Sequence, residues 1–111
     1  MIDSHTVKLI EDRFALGKQK YGHGVKVFTA FTKSPQWGCS TWMDMAREEF
    51  LDGIIYVAAD YIHTHVNHTR TRTREPDHND LILTTIKNWE HVESETHREM
   101  IRSLAGMIQM Q

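Results

Sequence analysis

The sequence of 111 residues has no long uninterrupted run of apolar residues and only one cysteine. No window reaches the roughly 18 consecutive apolar residues that a membrane-spanning helix needs, and the first 14 residues lack the apolar segment of a signal peptide. Cys39 has no second cysteine with which to form an internal disulfide bond, which fits a reducing compartment. These absences predict a soluble, cytoplasmic protein without membrane contact.

The sequence also lacks an excess of basic residues and the common zinc motifs. Its 13 Lys and Arg residues are outnumbered by 15 Asp and Glu residues, which gives a formal net charge of −2. Nucleic-acid-binding domains are usually strongly basic, so nucleic acid is not a predicted partner and any anion binding must be local. Neither H-E-x-x-H nor C-x-x-C occurs, and the eight histidines are scattered. A zinc-dependent hydrolase is therefore not predicted.

Four segments show apolar residues that recur every three or four positions, the spacing of an amphipathic helix. The first covers residues 4–21 and ends at a glycine. The second begins after a cap at Ser40 or Thr41, continues to about residue 65, and is predicted to be the longest and most buried helix. Residues 22–40 between them mix glycine, proline and aromatic residues, so they are predicted to form a long loop.

The third segment follows Pro76 and covers roughly residues 77–91. The fourth begins near Thr96, which stands three residues before Glu99 with the spacing of a capping box, and continues to about residue 110. The four segments predict an all-α protein in which a four-helix bundle forms a single domain over residues 1–111.

The second predicted helix carries five acids among bulky apolar residues. With successive residues about 100° apart around the helix and Asp44 set at zero, Glu48, Asp52, Glu49 and Asp60 fall at about 40°, 80°, 140° and 160°. The opposite side is apolar, as a core-facing side should be. The acids therefore share one side of the helix.

Acids spaced four apart on a helix repel each other, and burial increases that cost unless a cation lies among them. Mg²⁺ and Mn²⁺ prefer such oxygen ligands and usually accompany a phosphate-bearing substrate. The pattern therefore indicates a divalent-metal site on the second helix, and Asp77 and Asp80 at the start of the third helix form a second acidic pair. Two alternatives stay open: the acidic side is solvated or contacts another subunit, and Asp77 and Asp80 are ordinary helix caps.

Several cationic and aromatic side chains are candidates for binding the substrate. Those predicted are Lys18, Lys20, Trp42, Arg70, Arg72 and Arg74. The alternating arginines would point to one side of an extended chain, from which guanidinium groups bind phosphate through paired hydrogen bonds. The alternatives are that the lysines complement the helix dipole, that the arginines lie in a solvated connector, and that Trp42 packs in the core.

The acidic motifs resemble those of the MazG-like nucleotide pyrophosphohydrolases, an all-α family. The pairs that carry the resemblance are Glu49-x-x-Asp52, preceded by Glu48, and Asp77-x-x-Asp80, and the resemblance covers roughly residues 10–90. The stretch W-x-x-M-A-x-E-E-F-L-D-G and the stretch KYGHGVKV are also similar to small bacteriophage-borne proteins of this type. The second motif departs from the family by having Asp where Glu is usual.

The resemblance implies an enzyme that cleaves nucleoside triphosphates to monophosphate and pyrophosphate with Mg²⁺ or Mn²⁺. Glu48, Glu49 and Asp52 would be the catalytic residues, and the same three with Asp77 or Asp80 would hold the metal. It also implies a homodimer or homotetramer, and a location in the host cytoplasm if the protein is phage-encoded. The alternatives are a protein that binds a nucleotide without cleaving it and a phage interaction protein on the same fold.

Overall fold

A computed structural model of the chain describes residues 1–28, 41–65 and 77–111. Of these residues 78% are helical, and none of them forms a strand, which confirms the all-α prediction. The chain divides into two compact units, Met1–Thr32 and Lys33–Gln111. The single domain over residues 1–111 stays a prediction. In the described ranges no helix has both the length and the apolar character needed to cross a membrane.

Helix α1 of the first unit covers Ser4–Tyr21, the predicted bounds. It begins after Asp3, whose Oδ1 accepts a hydrogen bond from the backbone N–H of Thr6 at 2.7 Å. This bond lowers the pKa of the Asp3 carboxyl because it stabilises the ionised form. The helix ends at Gly22, which has a φ of 80° and donates its N–H to the Lys18 carbonyl at 2.8 Å. No residue of α1 is buried.

Helix α2 of the second unit covers Trp42–His65 and is the longest of the four described helices. Its cap is Thr41, whose Oγ1 accepts a hydrogen bond from the backbone N–H of Asp44 at 3.0 Å, one of the two predicted caps. Ile54 and Ala58 of α2 are buried, and no other described helix contains two buried residues. The prediction that this helix is the longest and most buried is thus confirmed for the described helices.

Helix α3 covers Asn79–Lys87, which is shorter than predicted at both ends. At its start, Asp77 Oδ1 accepts the backbone N–H of Asn79 at 3.0 Å instead of entering the helix. At its end, the Asn88 side chain donates to the Thr84 carbonyl at 3.0 Å, and the chain continues as a short 3₁₀ helix at Trp89–His91. Asparagine often ends a helix because its amide competes for backbone groups.

Helix α4 covers Glu95–Gln109. The predicted cap at Thr96 is wrong, because Ser94 is the N-cap and its hydroxyl accepts the backbone N–H of His97 at 3.3 Å. The cap of α4 therefore uses Ser94 and the backbone N–H of His97 rather than Thr96 and Glu99. Its histidine also takes part in the side-chain contacts described below.

The core of the second unit lies where α2 packs against α3 and α4. Its buried residues are Ile54, Ala58, Val92 and Ile101. Ile82 and Ile86 of α3 and Leu104 of α4 pack around them, half-buried. These positions lie on the predicted apolar sides of α3 and α4. Helices α2, α3 and α4 therefore pack around one core, and the four-helix bundle stays a prediction.

Candidate functional site

The acidic flank of α2, consisting of Glu48, Glu49 and Asp52, lies on the side of the helix away from the core. All three side chains are exposed, whereas Ile54 and Ala58 on the opposite side are buried. The separation follows from the 100° step, which directs residues 54 and 58 away from the acids. The structure has this division for the three acids and for the buried Ile54 and Ala58, whereas Met43 and Leu51, which the same spacing places on the apolar side, are exposed.

None of the three acidic-flank carboxylates forms an ion pair or hydrogen bond with another described residue. Arg47 is the only Lys or Arg in α2, and its Nε donates to Gln111 Oε1 at 3.3 Å. Like charges one turn apart cost a few tenths of a kcal/mol in water. The flank therefore presents three negative charges that no described cation neutralises.

Asp77 and Asp80 are both exposed at the start of α3. His78 is the N-cap residue of α3, and Asp77 before it accepts the backbone N–H of Asn79, which is close to the predicted capping alternative, while Asp80 lies within the first turn. In the described parts of the chain no group of three His, Cys, Asp or Glu side chains could hold a metal ion. The described structure therefore does not assemble acids of α2 and α3 into one such group.

The predicted substrate-binding side chains have separate surroundings. Lys18 lines a pocket of the first unit, whereas the Lys20 Nζ lies 5.4 Å from the centroid of the Tyr21 ring. Trp42 is the first residue of α2 and is 41% exposed, so it is not part of the core. The three arginines, Arg70, Arg72 and Arg74, lie outside the described residues, as do Trp37, Cys39 and the predicted cap Ser40.

A hydrogen-bonded group that the sequence did not predict links α2 to α4. His97 Nε2 lies 2.7 Å from Asp60 Oδ2, and His97 Nδ1 lies 2.5 Å from Ser94 Oγ. The Tyr61 and His65 rings stack at 5.0 Å, and both lie beside the His97 ring, with centroid distances of 5.7 and 5.4 Å. We refer to these five residues as the His97 cluster.

The chemistry of the His97 cluster follows from its donors and acceptors. An ionised Asp60 carboxylate only accepts, so His97 Nε2 carries the proton and, in the neutral ring, Nδ1 accepts the Ser94 hydroxyl proton. Serine, histidine and aspartate follow the order of a hydrolase triad. Here, however, Ser94 Oγ also accepts the backbone N–H of His97 as the cap of α4. This arrangement makes the group a connection between two helices.

The sequence contains a partial signal for the His97 cluster. Tyr61 and His65 stand one turn apart on α2, and Ser94 stands three residues before His97. The sequence gives no signal that Asp60 pairs with His97, which lies 37 residues further along the chain. No protein-family model, curated protein or solved structure shows a significant match to this chain.

Proposed function

We propose that the protein is a metal-dependent nucleoside triphosphate pyrophosphohydrolase of MazG-like type. The observation that carries this proposal is the acidic flank of α2, which offers three exposed carboxylates without a described partner. Oxygen donors of this kind suit Mg²⁺ and Mn²⁺. The reaction consumes one water and converts a nucleoside triphosphate to a monophosphate and pyrophosphate. A homodimer or homotetramer is part of the same proposal.

In this proposal Glu48, Glu49 and Asp52 hold the divalent ions and are the catalytic residues. Asp80 is the further candidate from α3, and Asp77 would have to give up its cap to Asn79 to take part. A bound divalent ion neutralises phosphate charge and lowers the pKa of an attacking water. The carboxylates themselves fix the ion and accept hydrogen bonds from that water.

The first prediction tests this activity directly. Purified protein incubated with a panel of ribo- and deoxyribonucleoside triphosphates and Mn²⁺ is expected to release pyrophosphate. Glu49→Gln and Asp52→Asn keep side-chain size but remove a negative charge, and each is expected to lower the rate by about 100-fold or more. The readout is pyrophosphate, which separates this cleavage from release of inorganic phosphate.

The matched control for this assay is Glu11→Gln, an exposed acid on α1 outside the acidic flank. It is expected to keep the rate of the unchanged protein. Absence of pyrophosphate with every nucleotide, or full activity in both Glu49→Gln and Asp52→Asn, would contradict the proposed enzyme.

A second candidate is a protein that binds a nucleotide or a basic partner without catalysis. It is favoured by the finding that no group of three potential ligands for a metal exists among the described residues. In this case the unpaired acids would dock a basic surface of another phage protein, or the fold would hold a nucleotide intact. A protein of this second kind would still bind its nucleotide or basic partner after divalent ions are removed, and it would release no pyrophosphate.

A further inference from the structure

The last two turns of α1 and the residues that follow them line an open surface pocket of about 440 Å³ within the first unit. Small-molecule sites are typically roughly 300 to 1,000 Å³, so the volume suits a small organic ligand. We call it the basic pocket, and its side chains with a charge or a ring are Arg13, Phe14, Lys18, Tyr21, His23 and Lys26.

The pocket exists because of helix spacing and one glycine turn. The α1 residues that line it, from Arg13 to Tyr21, fall within an arc of about 140° when successive residues are 100° apart. Gly22 then reverses the chain with its positive φ, which brings residues 23–26 to the same side. Gly17 lies in the middle of the arc, and a Cβ built on it would meet nothing within 4 Å. The missing side chain leaves the floor of the pocket open.

The charge of the basic pocket is of one sign. Residues 13–43 contain no Asp or Glu, although the chain has 15 of them. No described carboxylate pairs with Arg13, Lys18 or Lys26. The C-terminal end of α1 adds about half a unit of negative charge. Because three cationic side chains outweigh that half unit, the side chains around this largely apolar pocket have a net positive charge and favour an anion.

The ring of His23 adds a polar group to the basic pocket. Its Nδ1 lies 2.6 Å from the Gly24 carbonyl, which can only accept, so Nδ1 carries the proton. Nε2 takes no part in that bond, so it can accept a hydrogen bond in the neutral ring and donate one when the ring is charged. The bond also fixes the ring orientation.

We propose that the basic pocket binds a small phosphate ester that carries a flat ring, such as a mononucleotide. Arg13, Lys18 and Lys26 would hold the phosphate, because guanidinium and ammonium groups bind phosphate oxygens through charge-assisted hydrogen bonds. Phe14 and Tyr21, which are 58% and 67% exposed, would stack on the ring and lose contact with water. This binding does not depend on the acidic flank or on a divalent ion, so it does not rest on the proposed enzymatic function.

The second prediction measures this binding by calorimetry on the full chain in the presence of EDTA. Adenosine 5′-monophosphate is the probe, with adenosine and inorganic phosphate as its two halves. The monophosphate is expected to bind about tenfold or more tightly than either half, since loss of a hydrogen bond to a charged group has an effect of that size. Lys18→Gln is expected to weaken binding by about tenfold for the same reason.

Gly17→Leu fills the floor of the pocket without changing its charge, and leucine favours a helix more than glycine does. It is expected to abolish binding while α1 stays folded, as followed by circular dichroism. The matched controls are Lys8→Gln on the same helix and Gly106→Leu on α4, where a Cβ also meets nothing within 4 Å. Both are expected to bind as the unchanged protein does.

Three results would overturn the proposal: no binding at millimolar monophosphate, equal binding of the monophosphate and one of its halves, or binding that appears only when Mn²⁺ replaces the EDTA. The last result would assign the nucleotide to a metal-dependent site instead. The calorimetry contains EDTA and therefore measures no metal-dependent activity. A negative result would contradict the basic pocket as a binding site, whereas the proposed enzyme is tested separately by the pyrophosphate assay.

Discussion

At the scale of single residues, the side chain of His97 connects two helices of the second unit. Its side chain is only 17% exposed, whereas that of Asp60 is 64% exposed. Its neighbour Tyr61 accepts the backbone N–H of Glu93 through its hydroxyl oxygen at 3.2 Å. Two side-chain hydrogen bonds therefore join α2 to the beginning of α4, next to the buried Val92.

The third prediction concerns this connection. His97→Ala removes the hydrogen bonds to Asp60 and Ser94, and it is expected to lower the free energy of unfolding by about 1 to 2 kcal/mol. The expected loss of stability is small because water screens the largely exposed Asp60 carboxylate. Tyr61→Phe removes the hydroxyl that accepts the Glu93 N–H, and it is expected to lower the free energy of unfolding by about 0.5 to 1.5 kcal/mol. Urea unfolding followed by circular dichroism measures both changes.

The control for the His97 cluster is His91→Ala, an exposed histidine of the 3₁₀ helix outside the cluster. Its effect is expected to stay within about 0.5 kcal/mol. If His97→Ala had no larger effect than His91→Ala, the connection would not contribute to stability.

At the scale of secondary-structure elements, α2 and α4 approach each other closely at a glycine. A Cβ added to Gly53 would lie 3.7 and 3.8 Å from the two methyl carbons of Leu104, which is ordinary van der Waals contact. Glycine inside a helix costs roughly 0.5 to 1 kcal/mol relative to alanine. The space around residue 53 therefore does not require a glycine, and the position can accept a methyl group.

The fourth prediction is that Gly53→Ala raises the free energy of unfolding by about 0.5 to 1 kcal/mol, through helix propensity and the added contact with Leu104. Gly106→Ala is the matched comparison, because it changes propensity on α4 without adding a contact. Thermal unfolding of both variants measures the difference. A lower stability of Gly53→Ala than of the unchanged protein would mean that α2 and α4 pack more tightly than described.

At the scale of the whole molecule, the two compact units differ in how their apolar residues are covered. All four residues that are buried in the described part of the chain lie in the second unit, and α1 in the first unit contains none. The acidic flank belongs to the second unit and the basic pocket to the first. The acids are unevenly distributed along the sequence, since 12 of the 15 lie in residues 44–111 and none lies in residues 13–43, whereas 7 of the 13 Lys and Arg residues lie in residues 44–111.

The fifth prediction follows from ion binding by the folded chain. An ion that binds only the folded state stabilises it by about 2.7 kcal/mol at 100 times its dissociation constant. Millimolar Mn²⁺ is therefore expected to raise the melting temperature by about 5 °C or more, since 1 kcal/mol shifts the melting temperature of a small domain by about 4 to 8 °C. Differential scanning fluorimetry with and without EDTA measures the shift.

Asp52→Asn is expected to reduce this shift, whereas Glu11→Gln should leave it unchanged. An unchanged melting temperature at millimolar Mn²⁺ would instead favour the protein that docks a basic partner. An equal shift in Asp52→Asn would mean that the ion binds away from the acidic flank.

The sequence by itself determined the four helices and the two sides of α2, because apolar spacing and capping residues act over one or two turns of local chain. It placed the bounds of α1 and α2 correctly, and its errors at α3 and α4 occur where Asp77, Asn88 and Ser94 bind backbone groups. Only the tertiary structure decided which side chains meet across the fold. It joined Asp60 to His97 and formed the open basic pocket, and among the described residues it did not bring acids of α2 and α3 into one group that could hold a metal ion. Such contacts depend on helix packing and chain reversal, which bring together residues that no local spacing relates.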